Sequence, residues 1–405
     1  MKRLAGSLVL ILAGCGGPEG LRNVDPAAAQ VPPSVELIRL GNIPPSASMA
    51  HAVAQDVITT PYERPVTEAS EMLRKMALRA QEMEARDPAR AYLMHVDLAT
   101  GDVYAAAHDK AEASAIAARL APDGVAPSSG NGVPVIGQAT RGLSNNTDNR
   151  IYIGGSNYDN DSLATKVGRL WSDLGGCTAT MFSRQHIFTG AHCVWGPNGW
   201  ADPYTFRPRQ HGANGSIAPY GAGTGNYLQF PTAWASNNCH VSYGEPCVRY
   251  DFAVVGFPSN AFSPNPGYVA FGWRSDAALL DLQFVQNIGY PSCAADKMPP
   301  PSCQAENPYK DIFCAFETVD LSEGSTSNAW PFSDGTNPHM KTACDATPGH
   351  SGGPVFDPYG VLIGNSVWNE CWKGSCTANT IYSSGGIRIN STLFNWMMVY
   401  RNQAP

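Results

Sequence analysis

From residue 151 onward the chain is a succession of short apolar runs, each broken by Gly, Pro, Asn or Asp. Cys177–Phe182, His186–Thr189, Phe252–Phe257, Phe284–Gly289 and Val361–Val367 are clear examples. Runs of this length at this spacing predict many short strands in an all-β barrel or sandwich. Asp357-Pro358-Tyr359-Gly360 supplies a turn between two of them. The 40 glycines and 32 prolines of the 405 residues fit a loop-rich β protein better than a helical one. Apolar residues make up 43%, enough for a substantial core, which excludes a wholly disordered chain.

Composition changes sharply near residue 150. All nine tryptophans and ten of the eleven cysteines lie beyond it. Residues 15–65, rich in Pro, Ala and Ser, read as a flexible tether with little core. Residues 66–121 read as a small α+β accessory or pro region. Within it, Met72, Leu73, Met76, Ala80 and Met83 share one face of a helix, with Glu68 and Glu71 near its N-terminal end. A hairpin follows, turning at Ala99-Thr100-Gly101-Asp102, and then a second helix from about Lys110 to Leu120. Residues 122–150 form a Gly/Pro/Ser/Asn linker, and residues 151–405 the β domain. The chain closes with a helix capped by Asn390 or Ser391, with Leu393, Phe394, Met397 and Met398 on one face.

Residues 1–14 read as a signal peptide: Lys2 and Arg3, then an uncharged run from Leu4 to Ala13. It ends Leu12-Ala13-Gly14-Cys15, which resembles a bacterial lipobox and makes Cys15 a lipidation site and membrane anchor. The plainer alternative is a secretory signal with a chance cysteine. Either way the protein is exported, as a cell-envelope lipoprotein or in secreted form, and eleven cysteines suit an oxidising compartment. With Cys15 lipidated, ten remain, an even number open to disulfide pairing. The net charge of −7 argues against nucleic acid as a partner.

Three segments carry chemistry: Thr189-Gly190-Ala191-His192-Cys193, Asp251-Phe252-Ala253-Val254-Val255 and Gly349-His350-Ser351-Gly352-Gly353-Pro354. A serine hydroxyl needs a base to become a nucleophile, and histidine titrates near neutrality. A carboxylate behind the histidine fixes its tautomer. Glycines around the serine let backbone N–H groups reach a developing oxyanion. Gly-x-Ser-x-Gly also marks the nucleophile elbow of α/β-hydrolases, which place the histidine after the serine. Here His350 is the last histidine, so none follows Ser351.

The order His192, Asp251, Ser351 and the three motifs resemble the chymotrypsin/trypsin-fold serine endopeptidases. Gly386-Ile387-Arg388-Ile389-Asn390 and the terminal helix are most similar to the bacterial glutamyl-endopeptidase branch. The resemblance implies a mainly β catalytic domain of two antiparallel barrels with a C-terminal helix, acting on protein or peptide substrates without metal or cofactor. It assigns Ser351 as nucleophile, His192 as general base and acid, Asp251 as orienting carboxylate, and the N–H groups of Gly349 and Ser351 as oxyanion hole. It also implies a Cys177–Cys193 bridge; zinc is the rival use of these cysteines, but no Cys-x-x-Cys pair occurs. Cys239 with Cys247, and Cys344 with Cys371, are further expected pairs, while the pairing of Cys293, Cys303, Cys314 and Cys376 is left open. A non-catalytic binding homologue and an esterase with the same triad are the competing functions.

The pattern breaks at two places. His350 stands where animal-type relatives keep an aspartate that pairs with a newly cut N-terminus. Even so, Arg150-Ile151-Tyr152-Ile153-Gly154-Gly155 resembles an activation site, so cleavage there is expected to remove the N-terminal portion as a propeptide, without that ion pair. Asp345, six residues before Ser351, occupies the position that selects Arg or Lys in trypsin-like relatives. Ser366 stands about where the glutamyl branch carries its substrate-reading histidine. Basic specificity is therefore the expectation, with Asp345 and Ser366 in the pocket.

Overall fold

The structure is a computed structural model. It describes residues 32, 34–43, 62–63, 66–127, 150–153, 163–172, 175–196, 199–200, 205–212, 215–243, 247–282, 284–291, 309–310, 316–318, 339–342, 344, 349–371 and 381–402. The signal peptide, Cys15, Asp345 and Cys293, Cys303, Cys314 and Cys376 lie outside these residues.

The N-terminal unit consists of β1 (Val35–Asn42), α1 (Glu68–Arg86), β2 (Arg90–Asp97), β3 (Asp102–Asp109) and α2 (Lys110–Leu120). Helix α1 begins in a capping box: Thr67 Oγ1 accepts from the Ser70 N–H, and the Ser70 side chain returns to the Thr67 N–H. Asp109 caps α2 through the N–H of Glu112. The hairpin turns at Gly101, whose φ of 73° suits glycine.

The first half of the β domain contributes β4 (Val167–Ser172), β5 (Gly175–Met181), β6 (His186–Thr189), β7 (Thr205–Pro208), β8 (Tyr227–Pro231) with the short α3 (Thr232–Ser236), and β9 (Ala253–Gly256). The second half contributes β10 (Gln286–Gly289), β11 (Gly353–Phe356), β12 (Leu362–Ser366) and the closing helix α4 (Ser391–Arg401), capped by Asn390. Strands of the second half form a seven-stranded and a four-stranded sheet. The fold is mostly antiparallel β with few helices. No helix among the described residues is long and apolar enough to cross a membrane.

Ten strands form one continuous sheet, in the order β1-β3-β2-β8-β9-β6-β5-β4-β7 and then Gly223–Thr224. Strands of the N-terminal unit and of the β domain meet at β2 and β8, paired from Asp97 opposite Tyr227 to Leu93 opposite Pro231. Helix α1 packs on α3, and α2 on α4. One buried core runs from Val35 through Leu93 and Met94 to Phe230, Trp396 and Tyr400. A second, smaller cluster gathers Leu279, Val285, Met340, Cys344, Val355, Val361 and Ile363 in the second half.

The segment read as a tether needs correcting. Residues 35–42 are strand β1, paired antiparallel with β3, and Tyr62–Glu63 pairs with Ser242–Tyr243. Strand β1 sits at the sheet edge, so only Val35 is fully buried among its side chains. It is held by backbone hydrogen bonds, which leave no alternating apolar signature in the sequence.

Candidate active site

Strand β6 ends at Thr189, and the chain turns through Gly190 into a single helical turn, Ala191–Cys193, that carries His192. A Cβ at Gly190 would stand 3.0 Å from His192 Cε1 and 3.2 Å from Asp251 Oδ1, so the glycine leaves room for the pair. Asp251 lies between the turn Cys247–Tyr250 and β9, beside β6 in the sheet. Its carboxylate is fully buried and grips His192 twice. Oδ1 accepts the His192 backbone N–H at 3.0 Å, and Oδ2 meets Nδ1 at 2.6 Å. A buried carboxylate at Nδ1 keeps the proton on that nitrogen and leaves Nε2 as the acceptor.

Ser351 lies just before β11, in the turn that follows Gly349 and His350. Gly349 and Gly352 have φ of 95° and 78°, which favours glycine at both. A Cβ at Gly352 would also fall 2.2 Å from Thr189 Oγ1 and 2.4 Å from the Thr178 carbonyl. Among the described residues, the N–H groups of Gly349 and Ser351 donate to no protein acceptor. Two unused donors beside a serine are what an oxyanion hole requires. No hydrogen bond joins Ser351 Oγ to His192 among the described residues; such bonds are often long without substrate. The two loops converge on Cys193, whose Sγ is 3.6 Å from His192 Nε2 and 3.7 Å from the Ser351 carbonyl oxygen.

Cys177 and Cys193 are bridged, as are Cys239 and Cys247. The first closes a loop of sequence separation 16, worth about 3 kcal/mol on the chain-entropy account. Cys177, His192 and Cys193 group their ligand atoms within 4.8 Å of one another. Two bridged sulfurs offer no thiolate, so this trio does not suit zinc. Cys344 is disulfide-bonded as well, and the side chains of Cys371 and Cys376 lie outside the described residues. Ser366 is buried at the end of β12 opposite Gly353, and its carbonyl accepts the Gly352 N–H at 2.7 Å. It therefore stands beside the serine turn.

Sequence reasoning missed the residue that ties this turn down. Thr178 is fully buried on β5. Its N–H donates to the Ser351 carbonyl at 2.8 Å and its hydroxyl to the Gly349 carbonyl at 2.7 Å. The same hydroxyl accepts the Tyr290 N–H at 2.9 Å, and its carbonyl accepts from Thr189 Oγ1 at 2.9 Å. Asn365 adds a second tie, donating to the Thr189 carbonyl at 3.1 Å. A threonine in a strand reads only as a β-former, so nothing local marks it. Thr178→Val keeps the shape and removes the hydroxyl, stranding the Gly349 carbonyl and the Tyr290 N–H. A displacement near 1 Å of the turn costs about a hundredfold in rate, so kcat should fall by roughly that factor with KM little changed. Thr178→Ser should restore most of it. Wild-type kcat in Thr178→Val would show that the hydroxyl does not position the turn.

His350, next to Ser351, is fully buried against Gly289. Neither ring nitrogen finds a hydrogen-bond partner among the described residues. Burial, and then the nearby Arg150 guanidinium, hold it well below the usual imidazole range, so it is neutral.

Residues 177–364 match the model of the trypsin-like peptidase domain, and His192, Asp251 and Ser351 all fall within that span. Over that stretch the chain is similar to a trypsin-like peptidase domain, and its mostly antiparallel β architecture is trypsin-like. Similar solved structures include a Glu endopeptidase in complex with MPD, 15% identical with a TM-score of 0.46, covering 64% of this chain and 98% of that one. Another is HL collagenase, 11% identical with a TM-score of 0.41, covering 64% of this chain and 99% of that one. No curated protein matched.

Proposed function

We propose that the protein is an exported serine endopeptidase working through His192, Asp251 and Ser351. The observation that carries this reading is the double grip of buried Asp251 on His192, on a loop that meets the Ser351 turn at Cys193. Ser351 Oγ attacks the scissile carbonyl carbon as its proton passes to His192 Nε2. Asp251 stabilises the resulting imidazolium, and the N–H groups of Gly349 and Ser351 receive the oxyanion. Collapse of the tetrahedral intermediate breaks the C–N bond. The leaving amine takes the proton from His192, and an acyl-enzyme remains. Water, deprotonated by the same histidine, then releases the acid and restores the serine hydroxyl.

Export follows from the segment 1–14, with Cys15 as the lipid anchor. The Cys177–Cys193 and Cys239–Cys247 disulfides suit an oxidising compartment. Asp345 and Ser366 are assigned to the specificity pocket, with Arg or Lys preferred. The test is a panel of peptide amides varied at the residue before the cut, with matched esters. Cleavage of amides after Arg or Lys is expected. Amide cleavage without that preference removes Asp345 from the pocket, and hydrolysis of esters alone makes the protein an esterase.

A further inference from the structure

The N-terminal unit is built into the peptidase body along three lines. First, β2 supplies the strand that covers the edge of β8, with five residue pairs in register and a further hydrogen bond from the Leu98 N–H to the Asn226 carbonyl at 2.9 Å. Strand β8 is in turn the neighbour of β9, which follows Asp251 directly. Without β2, a buried row of peptide groups on β8 would become an open sheet edge.

Second, a buried polar network spans the junction. His95 Nδ1 meets Gln229 Nε2 at 2.9 Å, and the Tyr400 hydroxyl donates to Gln229 Oε1. Trp396 Nε1 donates to His108 Nε2 at 3.2 Å. The His95 ring lies over Tyr227 at 4.8 Å. Every residue of this network is buried. Gln229, Trp396 and Tyr400 belong to the peptidase, and their partners here come from β2 and β3.

Third, the exit of the unit is fastened to the other half of the molecule. Val125–Ala126 pairs with Phe271–Gly272 in the seven-stranded sheet. Arg401, at the end of α4, donates to the carbonyls of Pro127, Phe182 and Val269 and lies 3.8 Å over the Tyr268 ring. One guanidinium therefore binds the end of the unit to both halves of the β domain.

The expected activation cut meets a different setting. Arg150 is only 9% exposed, and Ile151–Tyr152 forms a strand paired with Tyr309–Lys310. Beside the serine, the residue that would receive a new N-terminal ammonium is His350, which offers no negative charge.

We propose that residues 34–127 are a permanent subunit of this peptidase and not a propeptide: cleavage anywhere in the linker 128–149 leaves a two-piece molecule that stays together. The unit completes the first sheet and roofs α4. This goes beyond the serine-peptidase reading and does not depend on it, because its readouts are association and unfolding.

The test places a recognition site for a specific protease within 128–149 of the full chain, in the Ser351→Ala background to prevent self-digestion. After complete cutting, native gel filtration should show both pieces eluting together at the position of the uncut chain, separating only in denaturant. The piece from 150 to 405 eluting alone as a folded species would overturn the proposal. Calorimetry of the uncut chain gives the second reading: one cooperative transition supports it. Two transitions, with the larger one unaffected by Ala117→Glu on the face of α2 toward α4, would overturn it.

Discussion

Ser351→Ala should reduce kcat for peptide hydrolysis by about a millionfold, the scale seen when the nucleophile of a triad is removed. The fold should be untouched. The Ser351 carbonyl is held by the Thr178 N–H, a bond that alanine keeps. No partner among the described residues depends on the hydroxyl, and the strained backbone positions are glycines on either side, Gly349 and Gly352. The expected result is therefore a protein with unchanged Tm and only the residual rate that binding and the oxyanion donors supply, about 10³–10⁴ over water. A parallel loss in His192→Ala, without a further loss in the double variant, would show that the two act as a unit.

Acid should destabilise the whole chain steeply. Burial pulls His95, His108 and His186 down to about 3 each, with His95 adding to the effect on His108. Among the described residues, their hydrogen-bond and ring partners are uncharged: Gln229, Tyr104 and Tyr227 at His95, Trp396 and Tyr400 at His108, Ser183, Tyr227 and Tyr400 at His186. These histidines are neutral in the folded protein and gain a proton on unfolding below the ordinary value of 6.5. The unfolded state then binds more protons, so stability is full above 6.5 and is lost as the pH falls toward 3. At pH 5 each group costs about 2 kcal/mol, and three together about 6, comparable to the net stability of many domains. Thermal unfolding should show a Tm far lower at pH 5 than at pH 7, and His108→Gln should flatten that dependence by about a third. A Tm that is level across this range would mean that the network admits protons freely. Because His95 and His108 sit at the junction with the N-terminal unit, acid should also loosen the two pieces of a nicked chain.

Local features of the fold were legible in the sequence wherever they are written in neighbouring residues. The hairpin turns at Gly101, Asp357 accepts from the Tyr359 and Val361 N–H groups in its turn, and Asn390 caps α4, each as adjacent residues indicated. The strands from His186 and Leu362 fall within the apolar runs that mark them. The union of the N-terminal unit with the peptidase was not legible. It rests on pairing Leu93 with Pro231 and on a bond from Trp396 to His108, contacts between residues far apart in the chain. No local periodicity encodes such a register. The same holds within the site. The motifs around His192 and Ser351 stand out because glycines crowd the reacting groups, and Asp251 because it opens an apolar run. Thr178 and Asn365 hold those loops from strands whose own sequence needs only β-formers.

The most direct measurement is stoichiometric labelling of the full-length protein with an organofluorophosphate, followed by mass mapping of the modified peptide. The expected result is one equivalent of label on the peptide containing Ser351, lost in Ser351→Ala and strongly slowed in His192→Ala. Label on another residue, label that survives Ser351→Ala, or a folded protein that takes no label at all would contradict the account.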